Sequence, residues 1–221
     1  MNIVAIDTSA EYGSIALVTA SGKIAEEFPM HSPDGFGHIL FANIGCLLER
    51  HGLRAGDIDC FASATGPGSF TGVRIGLTAA KGLAESTGRR VAGVSNLRAI
   101  AFYGQTHRRA VVLDARRGDV YVALYDAGLR LLDSERVMPV AAWLNGLPAD
   151  EDIEFVSQDF APFEAALVDT RFASSLVTIA SRSLAGAIGV IAARDALMLD
   201  PAALDANYVR RSDAEHFWKE A

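Results

Sequence analysis

The sequence predicts an α/β fold in which a three-stranded meander leads into alternating strands and helices. The arrangement occurs twice, giving two mixed sheets with helices on their faces. Three observations lead there. Residues 3–7 form an apolar run ending in Asp7, and residues 110–114 form a second one ending in Asp114. Each is followed nine and ten positions later by Ala-Leu, as Ala16-Leu17 and Ala123-Leu124. At 221 residues, half of them apolar and 21% charged, the chain is long enough to bury about 70% of its unfolded surface without a disulfide or structural metal.

Each element follows from local pattern. Residues 12–19 and 23–28 alternate as strands around a tight turn at Ser21-Gly22, completing the first meander. Phe36, Ile39, Leu40, Ile44, Leu47 and Leu48 fall at helical spacing, and that helix stops at Gly52. A strand (58–64), a Gly-rich helix (70–86), a strand (91–94) and a helix (97–104) follow. The second copy runs through strands at 110–114, 120–125 and 129–137. It then thins to helical segments at 141–144 and 162–167 with a strand at 153–156 between them. The pattern divides the chain into an N-terminal lobe, 1–104, and an eroded repeat, 105–203. The tail, 204–221, is expected to pack back on the first lobe.

Composition narrows the function. A net charge of -7 argues against tight nucleic-acid binding by this chain alone, since that affinity comes from Lys and Arg on phosphates. The start has no basic, apolar leader and no apolar run approaches the ~18 residues of a membrane span, so a cytoplasmic protein is expected. Cys46 and Cys60 sit among apolar neighbours and are expected to be buried thiols. His31, His38, His51, His107 and His216 form no ligand spacing, which predicts surface or cap positions and no metal.

The segment from Thr65 to Gly76, TGPGSFTGVRIG, joins a strand to a helix. It is not a phosphate loop, because Lys81 is followed by Gly82 where a Ser or Thr would hold magnesium. Ser69 is a candidate N-cap. Gly68, Gly72, Gly76 and Ala80 recur every four residues, and a glycine stripe is unfavourable in a helix unless something approaches the backbone closely. Either this chain's own sheet or helix, or a helix of another protein, supplies that approach. Asp7 and Asp114, at strand ends, are read mainly as caps of their own turns and alternatively as relics of a phosphate or magnesium site. Arg74 is either an interface charge or a solvated one.

Ile6-Asp7-Thr8-Ser9, the run Gly66–Gly76 and Asp114-Ala115-Arg116-Arg117-Gly118-Asp119-Val120-Tyr121 together resemble the TsaB (YeaZ) family of bacterial tRNA threonylcarbamoyladenosine biosynthesis proteins. Asn207-Tyr208-Val209-Arg210-Arg211 is similar to the family's closing motif, with Ala206 where a proline is usual. The resemblance implies a duplicated acetate-kinase/Hsp70/actin-like fold. It also implies a non-catalytic scaffold that binds and activates a TsaD-type transferase, which moves a threonylcarbamoyl group from an adenylate onto N6 of the adenosine after the anticodon. The tRNAs concerned read codons starting with A. A TsaE-type ATPase joins the complex and TsaC makes the adenylate. On this reading tRNA is met mainly through partners, the chain has no cofactor of its own, ATP or ADP belongs to the partner complex, and a homodimer forms when the chain is alone. Phe36, Ile39, Leu40, Gly68, Phe70, Thr71, Gly72, Arg74, Ile75, Gly76 and Ala80 become the expected partner-binding residues, and Asp7, Thr8, Ser9 and Asp114 a vestigial nucleotide loop. Arg116 and Arg117 stand where a phosphate loop needs small residues, and Leu184–Gly189 lacks the Gly-Gly pair that leaves space for adenine. An autonomous kinase or ATPase of this fold and a metallopeptidase are the alternatives.

Overall fold

A computed structural model describes residues 1–148 and 152–209. Residues 210–221, with Arg210, Arg211, His216 and most of the tail expected to fold back, lie outside the described residues. The chain forms two compact units. The first comprises Met1–Ala99 and Arg182–Asn207; the second comprises Ile100–Ser181 and, among described tail residues, Tyr208 and Val209.

In the first unit β1 (Asn2–Asp7), β2 (Tyr12–Thr19), β3 (Ile24–His31), β4 (Cys60–Ala64) and β5 (Arg90–Val94) form one sheet in the order β3-β2-β1-β4-β5. β1 pairs antiparallel with β2 and parallel with β4, so the sheet is mixed. β1 and β4 are apolar on both faces because both faces are covered. Val4, Ile6, Ile15 and Leu17 point toward α1 (Leu40–Arg50) and α2 (Phe70–Thr87), where Leu40, Ile44, Leu47, Val73 and Leu77 close one core layer. The opposite face, with Ala5 and Val18, meets α6 (Ala185–Arg194), and a Cβ on Gly189 would lie 2.5 Å from a Val18 methyl.

The second unit repeats this plan. β6 (Arg108–Asp114), β7 (Asp119–Asp126), β8 (Leu131–Pro139), β9 (Glu154–Ser157) and β10 (Val177–Ile179) are ordered β8-β7-β6-β9-β10, the first sheet's order with each strand replaced by its repeat. α4 (Val140–Gly146) and the short α5 (Glu164–Leu167) cover one face through an aromatic cluster. In it Phe155 meets Trp143 edge-on at 5.9 Å and Phe172 at 5.4 Å. Glu154, 1% exposed, accepts from Gln105 N (2.8 and 3.0 Å), Thr106 N (2.7 Å) and Thr178 Oγ1 (2.5 Å), tying the segment before β6 to β9 and β10.

Three expectations change. The last helix does not belong to the repeat 105–203: its apolar side chains are spent on the first sheet, so 182–207 belongs to the first unit. Leu204 completes the first core, and Lys81 Nζ donates to Leu204 O at 2.7 Å. β5 ends the first sheet with its free edge bridged by Leu199, which exchanges hydrogen bonds with Val91 at 2.8 and 3.0 Å. Cys46 is exposed and only Cys60 is buried, because Leu40, Ile44, Leu47 and Leu48 occupy the inward face of α1 and Cys46 falls outside that stripe. α3 (Asn96–Ala101) ends three residues before Gly104, and a Cβ on Gly104 would lie 2.5 Å from the Arg109 side chain. No helix among the described residues is long and apolar enough to cross a membrane.

Candidate functional site

β1 ends in Asp7, whose buried carboxylate accepts from Ser9 N at 3.0 Å and Ser9 Oγ at 2.6 Å. Burial pushes this carboxyl above the ordinary aspartate value, against the pull of the Ser9 and Asn96 hydrogen bonds. Asn96 bridges onward: its Nδ2 donates to Ser9 Oγ at 2.6 Å and its Oδ1 accepts from Gly66 N at 2.9 Å. Thr8 Oγ1 donates to Gly72 O at 2.7 Å, and Ser69 N donates to Ser9 O at 2.6 Å. The hairpin is thus fastened to the start of α2 by its own polar atoms. Asn96 was not a sequence candidate; the available signal was a Ser-Asn pair between a strand and a helix.

The glycine stripe explains how the backbones come so close. A Cβ on Gly68 would lie 2.6 Å from Ser9 O, one on Gly76 would lie 2.8 Å from Thr8 Oγ1, and one on Gly72 would collide with Thr8 O. The close approach at Gly68, Gly72 and Gly76 therefore comes from this chain's first hairpin. Ala80, fully buried, and Phe36, 3% exposed, are core residues as well. Ser69 caps α2 by accepting from Gly72 N at 3.3 Å, and Gly88, with φ 65°, ends the helix.

In the second unit Asp114 does for its turn what Asp7 does in the first: Oδ1 accepts from Arg116 N at 2.8 Å. The turn runs through Arg116, Arg117 and Gly118 at φ 66°, 58° and 83°, and both arginines are exposed. Among the described residues no group of three or more His, Cys, Asp or Glu side chains is gathered for a metal. Helix α6 starts against two acceptors of the same unit. Ser14 Oγ accepts from Ala185 N at 3.0 Å and Glu27 Oε1 from Gly186 N at 2.8 Å, so a carboxylate of this chain fills the end that favours an anion.

The exposed side of α1 and α2 has another character. Between them lies a groove of about 440 Å³ floored by Leu40 and Ala79 and walled by Phe41, Phe70, Ile75 and Arg74. Phe41 is 57% exposed and Phe70 46%. The Arg74 guanidinium carbon stands 3.7 Å from the centre of the Phe70 ring. Thr71 and Ile75 continue into a second depression of about 440 Å³, which also includes Thr8, Glu11 and Ser32. Of the expected partner-binding residues, Leu40, Phe70, Thr71, Arg74 and Ile75 meet in the groove, while Ile39 is half-buried against the core. Phe41 and Thr78 were missed. Phe41 departs from the inward stripe of α1, and an aromatic on a helix's outer face was the signal.

The family described as TsaD: tRNA N6-adenosine threonylcarbamoyltransferase matches residues 30–201. The tRNA threonylcarbamoyladenosine biosynthesis protein TsaB of Bacillus subtilis (strain 168) is 31% identical over 230 aligned residues, which span 100% of this chain and 99% of that one. YeaZ from Pseudomonas aeruginosa shares the fold with a TM-score of 0.74 at 24% identity, covering 94% of this chain and 99% of that one. The activator of the 2-hydroxyisocaproyl-CoA dehydratase from Clostridium difficile, solved with bound ADPNP, shares it at 0.53 and 11% identity, over 89% and 96%. The fold is the duplicated acetate-kinase/Hsp70/actin-like one.

Proposed function

The chain belongs to the TsaB family of tRNA threonylcarbamoyladenosine biosynthesis proteins, and from that premise we propose that it is the non-catalytic subunit that binds and activates a TsaD-type transferase. The transferase carries threonylcarbamoyl from an adenylate to N6 of the adenosine next to the anticodon, in tRNAs reading codons that start with A. The observation that carries this reading is the α1/α2 groove, an apolar surface with two half-exposed phenylalanines on an otherwise acidic chain. Two further features support it. The hydrogen bonds of Asp7, Thr8 and Ser9 fasten the first hairpin to α2, and Glu27 occupies the start of α6. The polar side chains of the hairpin and Glu27 are thus already engaged within the chain. A TsaE-type ATPase joins the complex, ATP or ADP is held there and not by this chain alone, and tRNA is met through the partners. A second copy takes the same groove when the transferase is missing.

Reconstitution of the tRNA modification with and without this chain tests the proposal. Omission is expected to abolish product, and the chain alone is expected to make none. Phe41→Ala with Phe70→Ala is expected to leave the fold intact and cost transferase binding at least about tenfold, as truncation of exposed aromatic anchors does. Tight ATP–magnesium binding by the isolated chain, abolished by Asp7→Ala, would instead identify an autonomous kinase or ATPase.

A further inference from the structure

We infer that residues 210–221 of this chain cover the α1/α2 groove, with Phe217 and Trp218 on its exposed phenylalanines and a tail carboxylate on Arg74, so that whatever docks there first displaces the tail. The cover is a property of the chain by itself; its regulatory consequence rests on the docking reading above.

The path of the chain before residue 210 leads there. Leu204 is packed in the first core, and its carbonyl accepts from Lys81 Nζ of α2 at 2.7 Å. Three residues on, Asn207 N donates to Thr65 O at 2.7 Å, and Asn207 O would lie 3.2 Å from a Cβ on Gly66. The segment thus runs beside α2 from its middle to the loop that opens it. Arg74, Thr78 and Lys81 are spaced i, i+4 and i+7, so the side of α2 that the segment follows is the side bearing the Arg74 wall of the groove. From Asn207, ten residues of extended chain reach Phe217, a span of up to about 33 Å. Phe70 to Thr78 is about 12 Å of helix, so reach does not limit the contact.

The tail matches the lining. The groove has apolar side chains, one glycine, two threonines and the single charge of Arg74. Residues 210–221 carry the adjacent rings Phe217 and Trp218 and the carboxylates Asp213, Glu215 and Glu220. Rings on rings bury the apolar walls, and a carboxylate accepts from the guanidinium fork. Arg74 and Phe70 each engage a further group of this chain besides each other. The lining itself holds no acid and, Phe41 apart, no second ring. Tethering decides between occupants: a segment joined by a short linker acts at an effective concentration in the millimolar range, which a second copy in dilute solution does not approach.

The test reads Trp218 in the full chain. The other tryptophan, Trp143, is buried in the second unit, so the difference in acrylamide quenching between the parent and Trp218→Phe isolates Trp218. Trp218 is expected to be shielded at every protein concentration and to become severalfold more quenchable in Phe41→Ala with Phe70→Ala. Phe217→Ser with Trp218→Ser is expected to tighten binding of the TsaD-type transferase about tenfold, the factor by which a tail seated nine-tenths of the time lowers the open fraction. If Trp218 is quenched as freely in the parent as in the Phe41 and Phe70 variant, the inference is overturned, and the docking reading survives provided that variant still loses transferase binding. Shielding that sets in only as concentration rises makes the occupant a second copy and overturns it too. Shielding without tightening, where the Phe41 and Phe70 variant still loses transferase binding, refutes the displacement. Shielding with transferase affinity unchanged in both double variants upholds the tail in the groove and refutes the docking reading instead.

Discussion

Two glycines of one helix show how far a single residue's role depends on what stands opposite it. Gly72 faces the Thr8 carbonyl, whereas Gly82, on the exposed side of α2, has nothing within 4 Å of a would-be Cβ. Gly72→Ala should therefore lose about 1–3 kcal/mol of stability by overpacking. Gly82→Ala should gain about 0.5–1 kcal/mol by removing backbone freedom from the unfolded chain. Urea denaturation of both variants checks the pair, and equal effects would dismiss the hairpin contact. Sequence showed the spacing of Gly68, Gly72 and Gly76 and the need for a close neighbour; which neighbour was illegible, because it lies some sixty residues away in the chain. Glu154 carries a pH prediction. Burial alone would raise its carboxyl, but the hydrogen bonds from Thr178 and from the Thr106 and Gln105 amides outweigh that and hold it below the ordinary glutamate value. With the folded value below the unfolded one, its contribution is complete above about pH 4.3 and drains away as pH falls through the folded value. Glu154→Gln should flatten this acid limb in a stability-versus-pH series, and an unchanged limb would remove Glu154 as its source.

Among the elements, those with one wet face were the legible ones. Helices α1 and α2 show their period plainly, and Ser69 and Gly88 mark the ends of α2. Helix α6 was invisible to period because almost all of it is buried: Ala185–Ile188 and Gly189 and Ile191 are inaccessible, so no polar face alternates with an apolar one. β10, three residues long, is shorter than any run that a two-residue period can establish. The groove was legible in part. The spacing of 36, 39, 40 and 44 reports the side of α1 that faces the core, while the outward Phe41 belongs to a different surface. The start of α6 gives the prediction proper to this scale. Glu27→Gln keeps an acceptor for Gly186 N and removes the negative charge beside the helix start, so about 1 kcal/mol should be lost, with the loss shrinking at high salt. Thermal melts at two ionic strengths measure it, and a loss independent of salt would make the bond, and not the charge, the contributor.

For the molecule as a whole, the twofold plan was readable from the Asp7 and Asp114 registers, and the two sheet orders repeat it strand for strand. What the pattern did not give is that the first unit is made of two separate stretches. A fragment of residues 1–104 lacks α6 and the Leu204 segment, leaving Ala5 and Val18 uncovered on one face. It is expected to show no cooperative melting transition, as is a fragment of residues 1–181; cooperative unfolding of either would contradict the assignment of α6 to the first sheet. The interrupted unit also imposes an order of events during synthesis. The strands beneath the groove helices leave the ribosome well before their covering helix, which follows only after residues 100–181 have been made. At about 5–20 residues per second, the apolar underside of the first sheet waits on the order of ten seconds for it. During that interval one face of the sheet is exposed apolar surface of the kind that aggregates, and the first unit is complete only once α6 has been made.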